Sequence, residues 1–269
     1  MKDITKLGIA AMGAMAIVAA FYLYTDRSSR MEKPPAPPMA AAPAPAPAAP
    51  APTHYPVPES PEAKAAPGPG TPEAEAYARG QIEDTFGAQA VRRLLRPDKL
   101  INAIVATVDN LTREKAAVRL WPVQPANGHF IVSKGPDGMA ISAENSRRYT
   151  PYVSLLTRAD TGALVDTYVR LYPMLQHAYE ELGYPQGYFN DRLIAVIDHL
   201  LAAPEPDGPV RVVQPHVLYQ FEDPDLEAAS AGQKLMIRIG VDNEKQVKRK
   251  LRELRRQLAQ LAASPSTSR

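Results

Sequence analysis

Residues 160–183 read DTGALVDTYVRLYPMLQHAYEELG, and the period of their apolar side chains decides the fold. Leu164, Tyr168, Leu171, Tyr172, Leu175, Tyr179 and Leu182 recur at helical spacing, so an α-helix gathers them on one face. Asp160 or Thr161 offers a side-chain oxygen to the first unpaired amides, and Gly183 accepts the left-handed turn at a helix end. Pro173 has no amide proton and is expected to kink the helix. A helix with one apolar face must bury it, so the flanking sequence has to supply partners.

It supplies mostly helices. Downstream, Asn190 or Asp191 opens a helix that buries Leu193, Ile194, Ile197 and Leu200, and the segment from Pro204 to Pro209 ends it. Upstream, helical periodicity begins at Glu73. Pro97 and Asp98 introduce a second stretch in which Leu100, Ile101, Ile104, Val105 and Val108 share a face, ending near Asn110 and Leu111. Trp121-Pro122 and Pro125 interrupt the pattern. His129 to Ser133 and Met139 to Ser142 flank the turn sequence Gly135-Pro136-Asp137-Gly138 and read as a β-hairpin. Val210 to Val213 and Val217 to Phe221 form a second candidate strand pair, followed by a helix from about Leu226 to Ile239. The expected fold is mainly α: a compact helical domain over residues 74–263 with one or two short β-hairpins, and a short tail over 264–269.

The last expected helix, Asp242 to Ala263, carries Val247, Leu251, Leu254, Leu258 and Leu261 as a narrow apolar seam. Lys245, Lys248, Arg249, Lys250, Arg252, Arg255 and Arg256 lie outside it. Three readings compete: a seam docked on the domain with a solvated basic face, a coiled-coil dimer, and a helix lying on anionic lipid or nucleic acid. No groove-reading motif accompanies the charge, so no nucleic acid is expected.

Ahead of the domain the chemistry changes. Residues 1–6 form a short tail carrying Lys2 and Lys6, and Leu7 to Tyr24 contains no charged side chain. At about 1.5 Å per helical residue this run approaches the roughly 30 Å of bilayer hydrocarbon, and Phe21, Tyr22 and Tyr24 close it as aromatics do at headgroups. A single membrane anchor, in the inner membrane, is the expectation; a cleaved signal peptide, with Val18 and Ala20 at the cut, is the rival. Lys2 and Lys6 are matched by Arg27, Arg30 and Lys33, so orientation rests on the short leading tail, which favours a periplasmic domain. Ala10 with Ala14 and Ala16 with Ala20 are spaced for self-association of two anchors.

Residues 25–73 read as a disordered linker. Fifteen of the 28 prolines fall between Pro34 and Pro72, many alternating with alanine. Missing amides and fixed φ angles push such a tract to polyproline II, where some 40 residues reach on the order of 120 Å. The chain has no cysteine, which excludes disulfides, thiolate metal sites and a cysteine nucleophile. Its formal charge of +2 is too small for a whole-chain argument about polyanions.

Arg148-Tyr149-Thr150-Pro151-Tyr152-Val153, Leu171-Tyr172-Pro173, Leu182-Gly183-Tyr184-Pro185, Phe189-Asn190-Asp191-Arg192-Leu193 and the run Leu218 to Lys234 resemble the bacterial family named domain of unknown function 3014. Val108-Asp109-Asn110-Leu111 extends the resemblance, which covers most of the chain beyond about Arg96. It implies a Gram-negative envelope protein with an N-terminal membrane segment and a variable proline-rich linker. It implies no activity.

Several residue sets invite chemistry. Ser230 and Lys234 share a helix face, as a serine nucleophile and its lysine base would, or else Ser230 caps a helix while Lys234 pairs with Glu227. His177, Glu181 and Asp198-His199 are scattered metal-ligand types without a complete array, and no metal or other cofactor is expected. Glu222 with Asp223, or Asp191 with Asp198, are carboxylate pairs that could flank a glycan or simply serve turns. Tyrosines accumulate most densely: Tyr149, Tyr152, Tyr168, Tyr172, Tyr179, Tyr184, Tyr188 and Tyr219 stand beside Gln176, Asn190, Asp191 and Arg192. Rings with polar tips suit a groove for an extended peptide or glycan strand; alternatively they are core, with the polar groups satisfying helix ends. The functional expectation is a membrane-anchored envelope module, non-enzymatic, that binds an envelope protein or wall glycan from its spacer. An anchored hydrolase and a cytoplasm-facing tether are the alternatives.

Overall fold

A computed structural model describes residues 53–96 and 98–261. The expected anchor, most of the linker and the C-terminal tail lie outside them. Among the described residues no helix is long and apolar enough to cross a membrane.

Among the described residues ten α-helices and four short strands follow in chain order: α1 Pro61–Ala65, α2 Pro72–Phe86, α3 Ala88–Leu94, α4 Leu100–Asn110, β1 Val132–Gly135, β2 Gly138–Ile141, α5 Glu144–Arg158, α6 Thr161–Glu181, α7 Phe189–Leu201, β3 Arg211–Val213, β4 Gln220–Phe221, α8 Pro224–Ala228, α9 Ala231–Arg238 and α10 Val241–Leu261. The segment 160–183 is the centre. α6 packs against α2, α4 and α10, and buries Leu164, Tyr168, Leu171, Leu175 and Tyr179 as its period requires. Asp160 caps it, accepting from the Ala163 amide, and Gly183 terminates the turn beyond it with φ 116°, where a β-carbon would be strained. The helix runs unbroken through Pro173. Packing on three sides supplies more than the one missing amide costs.

α10 settles the competition over its seam. Val247, Leu251, Leu254 and Leu258 are buried in the same core, against α5, α6 and α7. Of the expected basic face, Lys248 and Lys250 are buried. Lys248 Nζ donates to Ala203 O and lies 2.8 Å from Glu205 Oε1, while Lys250 Nζ donates to Ala159 O and Thr161 Oγ1, each at 2.7 Å. Both ammonium groups therefore sit where α7 and α5 end, facing the carbonyls those helices leave unpaired. Lys245, Arg249, Arg252 and Arg256 remain exposed along one stripe.

The two expected hairpins exist and join edge to edge in one antiparallel sheet, order β1-β2-β3-β4, with Met139 opposite Val212 and Val212 opposite Phe221. Its inner face covers a second, smaller core built on Val212, Phe221 and Ile237. Residues 129–131, expected in the first strand, precede it; Ile131 N donates to Asn145 Oδ1 at 3.0 Å, and Ile131 O accepts from Asn145 Nδ2 and from the Ser142 amide. The expected helix 226–239 is two helices. Ser230 breaks it, its Oγ accepting the Gln233 amide as the cap of α9. The break lets Gly232 approach the end of α4, where an added β-carbon would meet Leu111 O at 2.8 Å and Leu200 Cδ2 at 2.6 Å.

The linker boundary also needs correction. Residues 54–73, expected to lie in the free linker, are laid across the body: Tyr55, Val57 and Ala66 pack on the core edge, α1 contacts α6, and Thr71 caps α2. Aromatic and β-branched residues interrupt the alanine-proline alternation here, and they give the segment apolar surface to bury.

Candidate functional site: a clamp on an extended segment

The expected cap residues of α7 do something else. Tyr188 occupies the cap position with no side-chain bond, and Asn190 and Asp191 fall in the first turn. Their side chains turn outward to the chain that crosses this helix end. Asn190, 0% exposed, accepts from Tyr168 OH at 3.0 Å through Oδ1 and donates through Nδ2 to Tyr55 O at 2.8 Å. Asp191 Oδ1 accepts the Tyr55 amide at 2.7 Å, and its Oδ2 lies 2.8 Å from His54 Nδ1. Both main-chain groups of one residue are thus held by two consecutive side chains, while the His54 ring lies 4.0 Å from that of Tyr188. An amide in the first turn of a helix brings a partly positive environment to the carboxylate, which favours Asp191 as acceptor.

The remaining expected site residues brace this clamp from behind. Gln176 accepts the Phe189 amide at 2.8 Å and the Tyr172 hydroxyl at 3.2 Å, and donates to Gly187 O and Glu180. The loop between α6 and α7 is thereby pinned from one glutamine. Burial pushes the Tyr172 hydroxyl up to about 12 and that of Tyr168 well above the ordinary range, so both are neutral donors. Tyr179 stacks on Tyr184, centroids 4.6 Å apart, and meets Phe189. Arg192 donates to Asp109 Oδ1 at 3.0 Å, to Asp109 O and to Thr112 Oγ1. Asp109, 2% exposed, also accepts from Arg113 and from the Tyr184 hydroxyl at 3.2 Å. The expected tyrosine groove is therefore mostly filled. Tyr168 and Tyr179 are core, Arg192 is a strut between α4 and α7, and only the edge formed by Tyr188, Asn190 and Asp191 meets an extended chain. Asp109 belongs to the same assembly, a role that only its partners across the fold give it, and Tyr168, one of the expected tyrosines, holds Asn190 from behind.

The other candidates resolve as chain-holding groups. Lys234 Nζ donates to Glu227 O at 2.6 Å and lies 3.5 Å from Glu227 Oε1, so it faces the end of the preceding helix α8 and not Ser230. Ser230 Oγ instead lies 2.7 Å from His199 Nε2. Burial first, then Arg192, lowers the His199 pKa, which keeps the ring neutral and able to accept the Ser230 proton. Ser230 is 7% exposed and its Oγ is committed to the α9 cap, while Asp198, the carboxylate next to His199, pairs with Arg255 at 2.9 Å. Glu222 is bound to Arg211, and Asp223 caps α8. His177 Nδ1 sits 3.6 Å from Glu181. Among the described residues no group of three or more histidine, aspartate or glutamate side chains is placed to hold a metal.

The fold and its clamp define a mainly helical domain with a small antiparallel sheet, whose polar residues are spent on gripping chain with chain. The family described as protein of unknown function (DUF3014) matches residues 100–255, more than half of the chain, and the chain belongs to that family. The matched residues contain Asn190 and Asp191; the segment they hold, and α1 to α3, precede them. Comparison with curated proteins and with solved structures finds no match.

Proposed function

We propose that the protein is a membrane-anchored cell-envelope module of non-enzymatic character, a helical body that binds or scaffolds from a proline-rich stalk. One observation carries the reading: the end of the stalk is gripped through its main chain by Asn190 and Asp191, so stalk and body form one mechanical unit. A stalk fixed at the N-terminus of a buried helix transmits position to the body, where a freely jointed one would not. The anchor over residues 7–24 and the periplasmic placement rest on apolar length, on the aromatic belt and on the short leading tail. An envelope protein or a wall glycan is the expected partner class. The hydrolase alternative has the His199–Ser230 contact in its favour, and the cap commitment of Ser230 against it.

Reporter fusions after Pro72 test the placement. Alkaline phosphatase should be active and a cytoplasm-dependent fluorescent reporter dark. The reverse pattern would establish the cytoplasm-facing tether and remove the envelope reading.

A further inference from the structure

The clamp reads backbone. Tyr55 gives one donor and one acceptor to it, and neither bond depends on which side chain residue 55 carries. Three further features narrow the ligand. Pro56 holds the residue before it in an extended conformation, which presents both main-chain groups to one side. The half-exposed Tyr188 ring, at 51%, offers a flat apolar surface to the residue preceding the clamped one, here His54. The clamped side chain packs against the core edge. Asn190 Oδ1 accepts from the buried Tyr168 hydroxyl of α6, so its amide is oriented from within the body.

The occupant, by contrast, is lightly held. No residue from 53 to 73 is buried, α1 buries nothing, and Pro67-Gly68-Pro69-Gly70 separates this strap from α2. Segments with so little buried surface open at low cost.

We propose that Tyr188, Asn190 and Asp191 form a binding site for an extended peptide in which two ring-bearing residues precede a proline, and that residues 54–57 fill it as an intramolecular competitor. The proposal rests on the non-enzymatic binding reading and specifies its ligand class. Tethering gives the strap an effective concentration in the millimolar range, so a ligand from another chain gains access only as the strap lifts. The site then answers to whatever pulls or orders the stalk.

The test uses the full chain in detergent and a fluorescein-labelled peptide of sequence APTHYPVPES, residues 51–60. The double variant H54A/Y55P removes the ring contact and the clamped amide together, releasing the strap. It should bind the peptide at least about tenfold more tightly than the unaltered chain. Adding Asp191→Ala to that background should abolish binding, and the peptide APTHPPVPES, which lacks the amide, should not bind. Equal binding to unaltered chain and double variant, retention of binding after Asp191→Ala, or no saturable binding to a folded double variant would each overturn the proposal. Should the double variant fail to fold, excess unlabelled peptide added to the unaltered chain should accelerate exchange of the Tyr55 amide, and unchanged exchange would overturn it equally. A dimer abolished by H54A/Y55P would mean that a second copy supplies residues 54–57, and would overturn the intramolecular arrangement. A cytoplasmic reporter result leaves this test untouched, and failed peptide binding leaves the tether in place.

Discussion

Asp109 ties three residues of the site to one carboxylate. Its carboxylate accepts from Arg192, Arg113 and Tyr184, and these ties join α4 to α7 and to the loop before it. Asp109→Ala leaves Arg192 without its ion partner. Removing one member of a buried pair costs about 3–5 kcal/mol, but Arg113 is more than half exposed and water screens it, so about 2–4 kcal/mol is expected in urea unfolding. A loss below about 1 kcal/mol would show that the strut is decorative. His199 gives a pH dependence. Its folded-state pKa is lowered from 6.5, chiefly by burial, so on acidification the unfolded chain takes up the proton first. The stability it contributes is present above 6.5 and is lost as pH falls through the lowered value. The slope of unfolding free energy between pH 7.5 and 5.5 should shrink in His199→Gln; an unchanged slope assigns it elsewhere.

At the scale of elements, what could be read from the chain follows from what is local. The face of α6, the apolar face of α4, the Gly135–Gly138 turn and the seam of α10 are all encoded by spacing within one segment, and all appear. What spacing does not encode is a side chain that reaches across the chain to replace a backbone partner. Asn190 and Asp191 leave the cap position to hold Tyr55, and Asn145 pairs with Ile131, 14 positions away; the Ser230 cap that splits α8 from α9 is local, and the sequence offered it. In the candidate site the cluster of residue types was legible, and its division into core, strut and clamp was not, because that division depends on Asp109, Tyr168 and His54, distant by 22 to 137 positions. The split at Ser230 yields a prediction of its own. Gly232→Ala forces a β-carbon against the Leu111 carbonyl and Leu200, and should destabilise by about 1–3 kcal/mol in thermal or urea unfolding. A neutral effect would mean that α9 can shift without disturbing α4.

On the scale of the whole molecule, residues 54–57 lie against the body. Residues 54–71 were expected in the free linker on composition, and alanine-proline alternation does dominate up to Pro52. Beyond it, His54, Tyr55 and Val57 supply surface that a purely polar or proline stretch lacks, and the clamp at α7 does the rest. The edge formed by Tyr188, Asn190 and Asp191 is covered by residues 54–57. The most direct measurement is amide hydrogen exchange at Tyr55, whose N–H is donated to Asp191 Oδ1. The account predicts protection of this amide well beyond the unfolded-chain rate, lost in Asp191→Ala while α6 and α10 stay protected. Exchange at the unfolded-chain rate in the unaltered protein would contradict it.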